Sequence, residues 1–67
     1  MVEEIEEILQ EKFKKLKIEV EYVKIKMYII NFGNKTILYE WKDDETFSSN
    51  INQIEYLIKF FSKENKK

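Results

Sequence analysis

The stretch IEVEYVKIKMYIINFGNKTILYEWK, residues 18–42, decides the fold. It is rich in β-branched and aromatic side chains, and its apolar residues alternate with polar ones as in half-buried strands. The alternation changes phase part-way, because Ile18, Val20 and Tyr22 are apolar at even positions and Ile25, Met27 and Ile29 at odd ones. One straight strand cannot carry both sets on one face, since a one-residue slip sends every side chain to the other side. A tight hairpin at Val23-Lys24 resolves the conflict, setting Tyr22 opposite Ile25, Val20 opposite Met27 and Ile18 opposite Ile29. Val-Lys lacks the Gly, Asn or Asp of a two-residue turn, so a bulge within one bent strand is the alternative.

The next turn contains the only Gly of the chain, in Asn31-Phe32-Gly33-Asn34. A three-residue loop at Phe32-Gly33-Asn34 pairs Ile29 with Ile37, Met27 with Tyr39 and Ile25 with Trp41. A two-residue loop at Gly33-Asn34 would instead set Leu38, Glu40 and Lys42 on the apolar face, and burying unpaired charge is costly. The three-residue loop is therefore expected, with Ile18, Val20, Tyr22, Ile25, Met27, Ile29, Ile37, Tyr39 and Trp41 forming one apolar face. The opposite face then carries Glu19, Glu21, Lys24, Lys26, Thr36, Glu40 and Lys42, with Lys26 between Glu21 and Glu40. It also carries Tyr28, Ile30 and Leu38, a small apolar patch on a polar surface.

Helical periodicity flanks this region on both sides. Val2, Ile5, Ile8, Leu9, Phe13 and Leu16 make one stripe of an amphipathic helix, and Ile51, Ile54, Leu57, Ile58 and Phe61 make another. Ser48, Ser49 and Asn50 are candidate N-caps of the second helix, Asn50 with Gln53 resembling a capping box. Tyr56 and Phe60, four apart, fall at the edge of its buried stripe. The expected fold is α+β: one compact domain over residues 1–67, a two-layer α-β-β-β-α sandwich with a three-stranded antiparallel meander and two helices on one face. The helices are expected at about 2–16 and 49–62, the strands at about 18–22, 25–31 and 35–42, and a frayed tail at 63–67.

Composition limits the chemistry. The chain has 67 residues, 37% of them charged, and neither Cys nor His. No disulfide, thiolate nucleophile, cysteine zinc site or imidazole base can be built, which removes Ser–His and Cys–His catalysis. All 12 basic residues are Lys, so the bidentate Arg fork that clamps phosphates and reads guanine is missing. Asp43, Asp44 and Glu45 could offer oxygen ligands to Mg²⁺ or Ca²⁺, but three adjacent residues match no calcium-loop spacing. The reading is of a non-enzyme with no catalytic residue, cofactor or metal. No apolar run reaches the ~20 residues of a membrane span, and the acidic start Met1-Val2-Glu3-Glu4 is unlike a secretory signal, so a cytoplasmic protein is expected.

The near-neutral net charge of −1 hides segregation. Glu3, Glu4, Glu6, Glu7 and Glu11 precede Lys12, Lys14, Lys15 and Lys17, an order that suits the helix macrodipole. Asp43, Asp44 and Glu45 form a second acidic cluster between structured segments. Glu3, Glu4, Glu7, Asp43, Asp44 and Glu45 are candidate contacts to a larger protein with a basic nucleic-acid site, while Tyr28, Ile30 and Leu38 are candidates for a homodimer seam on the outer sheet face. The abundance of Ile, Lys, Asn and Glu without Arg suggests an AT-rich genome.

The order α-β-β-β-α resembles the double-stranded-RNA-binding fold, over nearly the whole chain. That resemblance implies lysines gripping phosphates at the start of the second helix. Here the matching stretch reads Asp43-Asp44-Glu45-Thr46-Phe47-Ser48-Ser49-Asn50, whose carboxylates repel a phosphate backbone. Nucleic-acid binding thus stands as the alternative function, resting on Lys12 to Lys17, with a homo-oligomeric structural module as another. In shortness and acidic clustering the chain is similar to anti-CRISPR and anti-restriction proteins. The leading expectation is a protein-binding inhibitor of viral or mobile-element type, acting in the host cytoplasm.

Overall fold

The computed structural model describes residues 1–64. Helix α1 (Val2–Lys12) is followed by strands β1 (Ile18–Lys24), β2 (Met27–Phe32) and β3 (Lys35–Glu40), and by helix α2 (Phe47–Glu64). The strands form one antiparallel sheet in the order β1-β2-β3. This is the expected α+β meander with two helices. Of the expected tail at 63–67, residues 65–67 lie outside the described residues, and the range of α2 extends to Glu64.

The inner face of the sheet buries Ile18 and Val20 of β1, Tyr28, Ile30 and Phe32 of β2, and Tyr39 of β3, with Trp41 just beyond. Ile5 and Leu9 of α1 and Ile51, Ile54 and Ile58 of α2 complete the core. The β1 and β3 faces are those the alternation predicts, whereas β2 is turned over. Ile29 and Met27 point outward, Ile25 is 75% exposed in a turn, and Tyr28 and Ile30 are core.

Two registers explain the reversal. β1 and β2 turn at Ile25-Lys26, pairing Tyr22 with Tyr28, and the ladder shifts by a bulge between Tyr22 and Lys24. Lys26 takes the left-handed conformation, φ 65°, that Gly or Asn usually occupies. β2 and β3 turn on two residues, Gly33-Asn34, pairing Phe32 with Lys35 and Ile30 with Ile37. With Gly33 at φ 61° in the first central position this is the arrangement of a type II′ turn. Both registers differ from the expected ones by an odd number, so only the middle strand inverts. Glu40 still faces outward because its new partner is Met27, itself on the outer face. Lys26 accordingly lies in the turn and not between Glu21 and Glu40.

Both helix boundaries shift for identifiable reasons. α1 stops at Lys12 and not near 16, since Phe13 leaves helical geometry (φ −123°, ψ 74°). The Gln10 amide then takes over the connector: Nε2 donates to the carbonyls of Phe13 (3.0 Å) and Leu16 (2.6 Å), and Oε1 accepts from the Ile18 N–H (3.0 Å). α2 starts earlier than expected because Thr46 is the cap, its Oγ1 accepting the Ser49 N–H at 3.0 Å. Asn50 is not a cap. It is fully buried one turn inside the helix.

Candidate functional site

Each helix doubles back along the strand that adjoins it. At one end, Gln10 holds the end of α1 to Ile18, and the Gly33 N–H donates to the Lys17 carbonyl (3.2 Å). At the other, Asn50 near the start of α2 meets Tyr39 and Lys42 beside the end of β3. Lys12, ending α1, reaches Glu55 in the middle of α2 at 3.7 Å. α1 and α2 therefore run the same way across the inner face. Both begin at the end of the sheet that carries the Ile25-Lys26 turn.

That end gathers the two acidic clusters seen in the sequence. Glu3 and Glu4 occupy the exposed first turn of α1, where the helix dipole favours negative charge. Asp43, Asp44 and Glu45 form the exposed connector between β3 and α2. Asp43 accepts an ion pair from Lys26 Nζ at 2.8 Å. The ammonium–carboxylate hydrogen bond, and then the Asp43 charge, hold the Lys26 pKa above its ordinary value. The turn is further fixed by the Trp41 N–H, which donates to the Lys26 carbonyl at 2.6 Å. Glu45 Oε1 accepts from the Ser49 hydroxyl at 2.7 Å, so this carboxylate is held beside the start of α2. Glu7 stands a turn further along α1 and faces an open hollow that also includes Glu11, Lys12 and Lys14, so its surroundings are mixed in sign.

The opposite end is basic. Lys14, Lys15 and Lys17 lie exposed in the α1–β1 connector beside the Gly33-Asn34 turn, and Lys17 pairs with Glu19 at 3.7 Å. The charge blocks of the sequence thus become two ends of one small body. Among the described residues no group of three acidic side chains is placed to hold a metal ion, and no helix is long and apolar enough to cross a membrane.

The outer-face patch needs correction. Tyr28 and Ile30 are buried in the core, Tyr28 packing edge-on against Tyr22 (ring centroids 5.8 Å apart) and Trp41 (6.0 Å). Of the three candidates only Leu38 is on the outer face, 62% exposed, and its cross-strand neighbour is Ile29. Around it the face is polar: Glu21 accepts from the Asn31 amide (3.1 Å), and the Thr36 hydroxyl donates to Asn31 Oδ1 (2.7 Å).

No protein-family model matches the chain, and no curated protein or solved structure matches it significantly.

One surface feature escapes a reading by periodicity. The Lys26–Asp43 pair joins residues 17 apart through a turn with no Gly to announce it. Tyr56 and Phe60 stack with ring centroids 6.3 Å apart, both exposed, and extend the apolar edge of α2 well past its core stripe. Their spacing of four in the sequence already marks them as a pair at the edge of the buried stripe.

Proposed function

We propose that this chain is a non-enzymatic binding protein that docks by its acidic end on a basic surface of a larger protein, the kind of surface that otherwise receives nucleic acid. One observation carries the reading: the parallel course of the helices brings Glu3 and Glu4 to the end that also holds Asp43, Asp44 and Glu45. Carboxylates on a small rigid body can imitate the phosphate spacing that a basic cleft attracts, and they steer association over distances set by ionic strength. Absence of His, Cys and Arg from the sequence leaves recognition as the function this surface serves best. An inhibitor that occupies a nucleic-acid site in the cytoplasm, of viral or mobile-element origin, is its concrete form.

The test is affinity capture with the immobilised chain, followed by titration of the captured protein at several salt concentrations. Changing Asp43, Asp44 and Glu45 together to Lys is expected to weaken binding and flatten its salt dependence. Binding that is unchanged at low salt overturns electrostatic mimicry.

A further inference from the structure

We infer that β3 is a pairing edge, and that its occupant is the β3 of a second copy of this chain, set antiparallel across a two-fold axis at Leu38. The two edges of the sheet are built differently. β1 carries Glu19 and Glu21 outward and is broken by the bulge between Tyr22 and Lys24, both devices that keep another strand away. The middle of β3, Thr36-Ile37-Leu38-Tyr39, has no charge, no bulge and no Pro.

The backbone groups on offer follow from the turn. In a two-residue hairpin Lys35 exchanges hydrogen bonds with Phe32, so Lys35, Ile37 and Tyr39 point their N–H and C=O groups at β2. The Trp41 N–H, two residues on, also points that way, reaching the Lys26 carbonyl. Thr36, Leu38 and Glu40 therefore present theirs to the edge. Self-pairing in register at Leu38 sets Leu38 against Leu38 and Thr36 against Glu40, and all of these outward groups bond at once.

Side chains agree with that register. Leu38 meets its own copy on the outer face next to Ile29, and Ile37 meets Tyr39 on the inner face. β3 begins with Lys35 and ends with Glu40, so antiparallel self-pairing keeps like charges apart, where parallel pairing would set Lys35 against Lys35 and Glu40 against Glu40. The net charge of −1 opposes association little. Above the edge the seam continues on α2. Glu55 marks the flank of α2 that faces α1, so Leu57 and Phe60 lie on the other flank, on the β3 side, with Tyr56 beside them. Two copies would lay these flanks together.

Sedimentation equilibrium over a wide concentration range, with amide exchange, tests this. The wild-type chain is expected to reach twice its 8.3 kDa mass. The amides of Thr36, Leu38 and Glu40 should then gain protection with concentration, while those of Ile37 and Tyr39 stay constant. Leu38→Lys places two like charges face to face and is expected to weaken the dimer more than about tenfold. Leu38→Pro removes one outward N–H without touching the β2 ladder and should do the same. Ile25→Lys, in the other turn, and the triple Lys variant at 43–45 should leave the dimer intact, which separates this seam from the acidic end. A wild-type chain that stays monomeric throughout overturns the inference, even if a foreign strand is found on β3. So does a dimer that Leu38→Lys leaves unchanged in a variant with native circular dichroism.

Discussion

The Tyr39 hydroxyl donates to Asn50 Oδ1 at 2.7 Å, at a point where both side chains are buried. The same oxygen accepts the Lys42 N–H (2.9 Å), and Asn50 Nδ2 donates to the carbonyls of Lys42 (3.0 Å) and Thr46 (2.9 Å). Every hydrogen-bonding site of that amide is used. One side chain thereby ties β3, the acidic connector and the first turn of α2 together, and sets the direction in which the carboxylates of the connector are presented.

Asn50→Ala is expected to destabilise the protein by about 3 kcal/mol, since it leaves several buried partners unpaired at once. In a domain of this size that lowers Tm by more than about 10 °C. Tyr39→Phe removes one donor and should cost about 1 kcal/mol. Urea denaturation of the two variants and of their double mutant gives the coupling; strict additivity would contradict the shared network.

Alkaline pH should weaken the fold. Burial, and then the negative charge of Glu45, push the Tyr39 phenol above its ordinary value, and the Asp43 carboxylate raises Lys26. In both cases folding favours the protonated form. Their contributions are therefore complete below the unfolded-state values, about 10 for Tyr and 10.4 for Lys, and are lost as pH rises through the folded ones. With no histidine in the chain, the neutral range lacks the side chain that usually titrates there. Denaturation midpoints are expected to fall above about pH 10, and less steeply in Tyr39→Phe. Stability that rises over that interval would contradict the assignment.

The two turns respond to substitution in opposite ways. A Cβ on Gly33 would meet only Leu16 Cδ2, at an ordinary 3.5 Å, so Gly33→Ala should cost about 1 kcal/mol from backbone strain alone. Lys26→Gly relieves the same strain but removes the ion pair to Asp43. It is expected to raise Tm at high salt, where that pair is screened, and to gain less at low salt. Thermal melts at two ionic strengths decide it.

Ile30 on the central strand β2 and Leu38 on the edge strand β3 separate the buried face of the sheet from the exposed one. Ile30→Ser opens the core and should cost about 3 kcal/mol or more, whereas Leu38→Ser should stay within about 0.5 kcal/mol for the monomer. Equal costs in denaturant titrations would mean that the register is wrong.

Element types and order are legible in the sequence because each helix has one apolar stripe and residues 18–42 have strand chemistry throughout. The facing of β1 is legible as well, since Glu19 and Glu21 alternate with its apolar residues, and that of β3 follows from keeping Glu40 and Lys42 off the buried face. β2 is not: Met27-Tyr28-Ile29-Ile30 is apolar at both parities, so alternation cannot choose a side. The choice falls to the turns, and the deciding one puts Lys26 in a conformation that its side chain does not advertise. Of the candidate site, Glu3, Glu4 and Asp43 to Glu45 are exposed as charge and position imply, while Tyr28 and Ile30 followed β2 into the core. That Asn50 would be buried could not be read from its spacing alone, because an Asn before an apolar run has the same signature as a cap.

The meander has a kinetic consequence. Every strand pairs with its neighbour along the chain, and the turns and the Gln10 and Asn50 clamps join residues only a few positions apart. Little loop entropy opposes the early steps, so hairpins and helix junctions can form before any distant contact is made. The meeting of α1 with α2, marked by Lys12 and Glu55, is the long-range closure that remains. It joins residues 43 apart in the chain and is therefore the step expected to come last in folding.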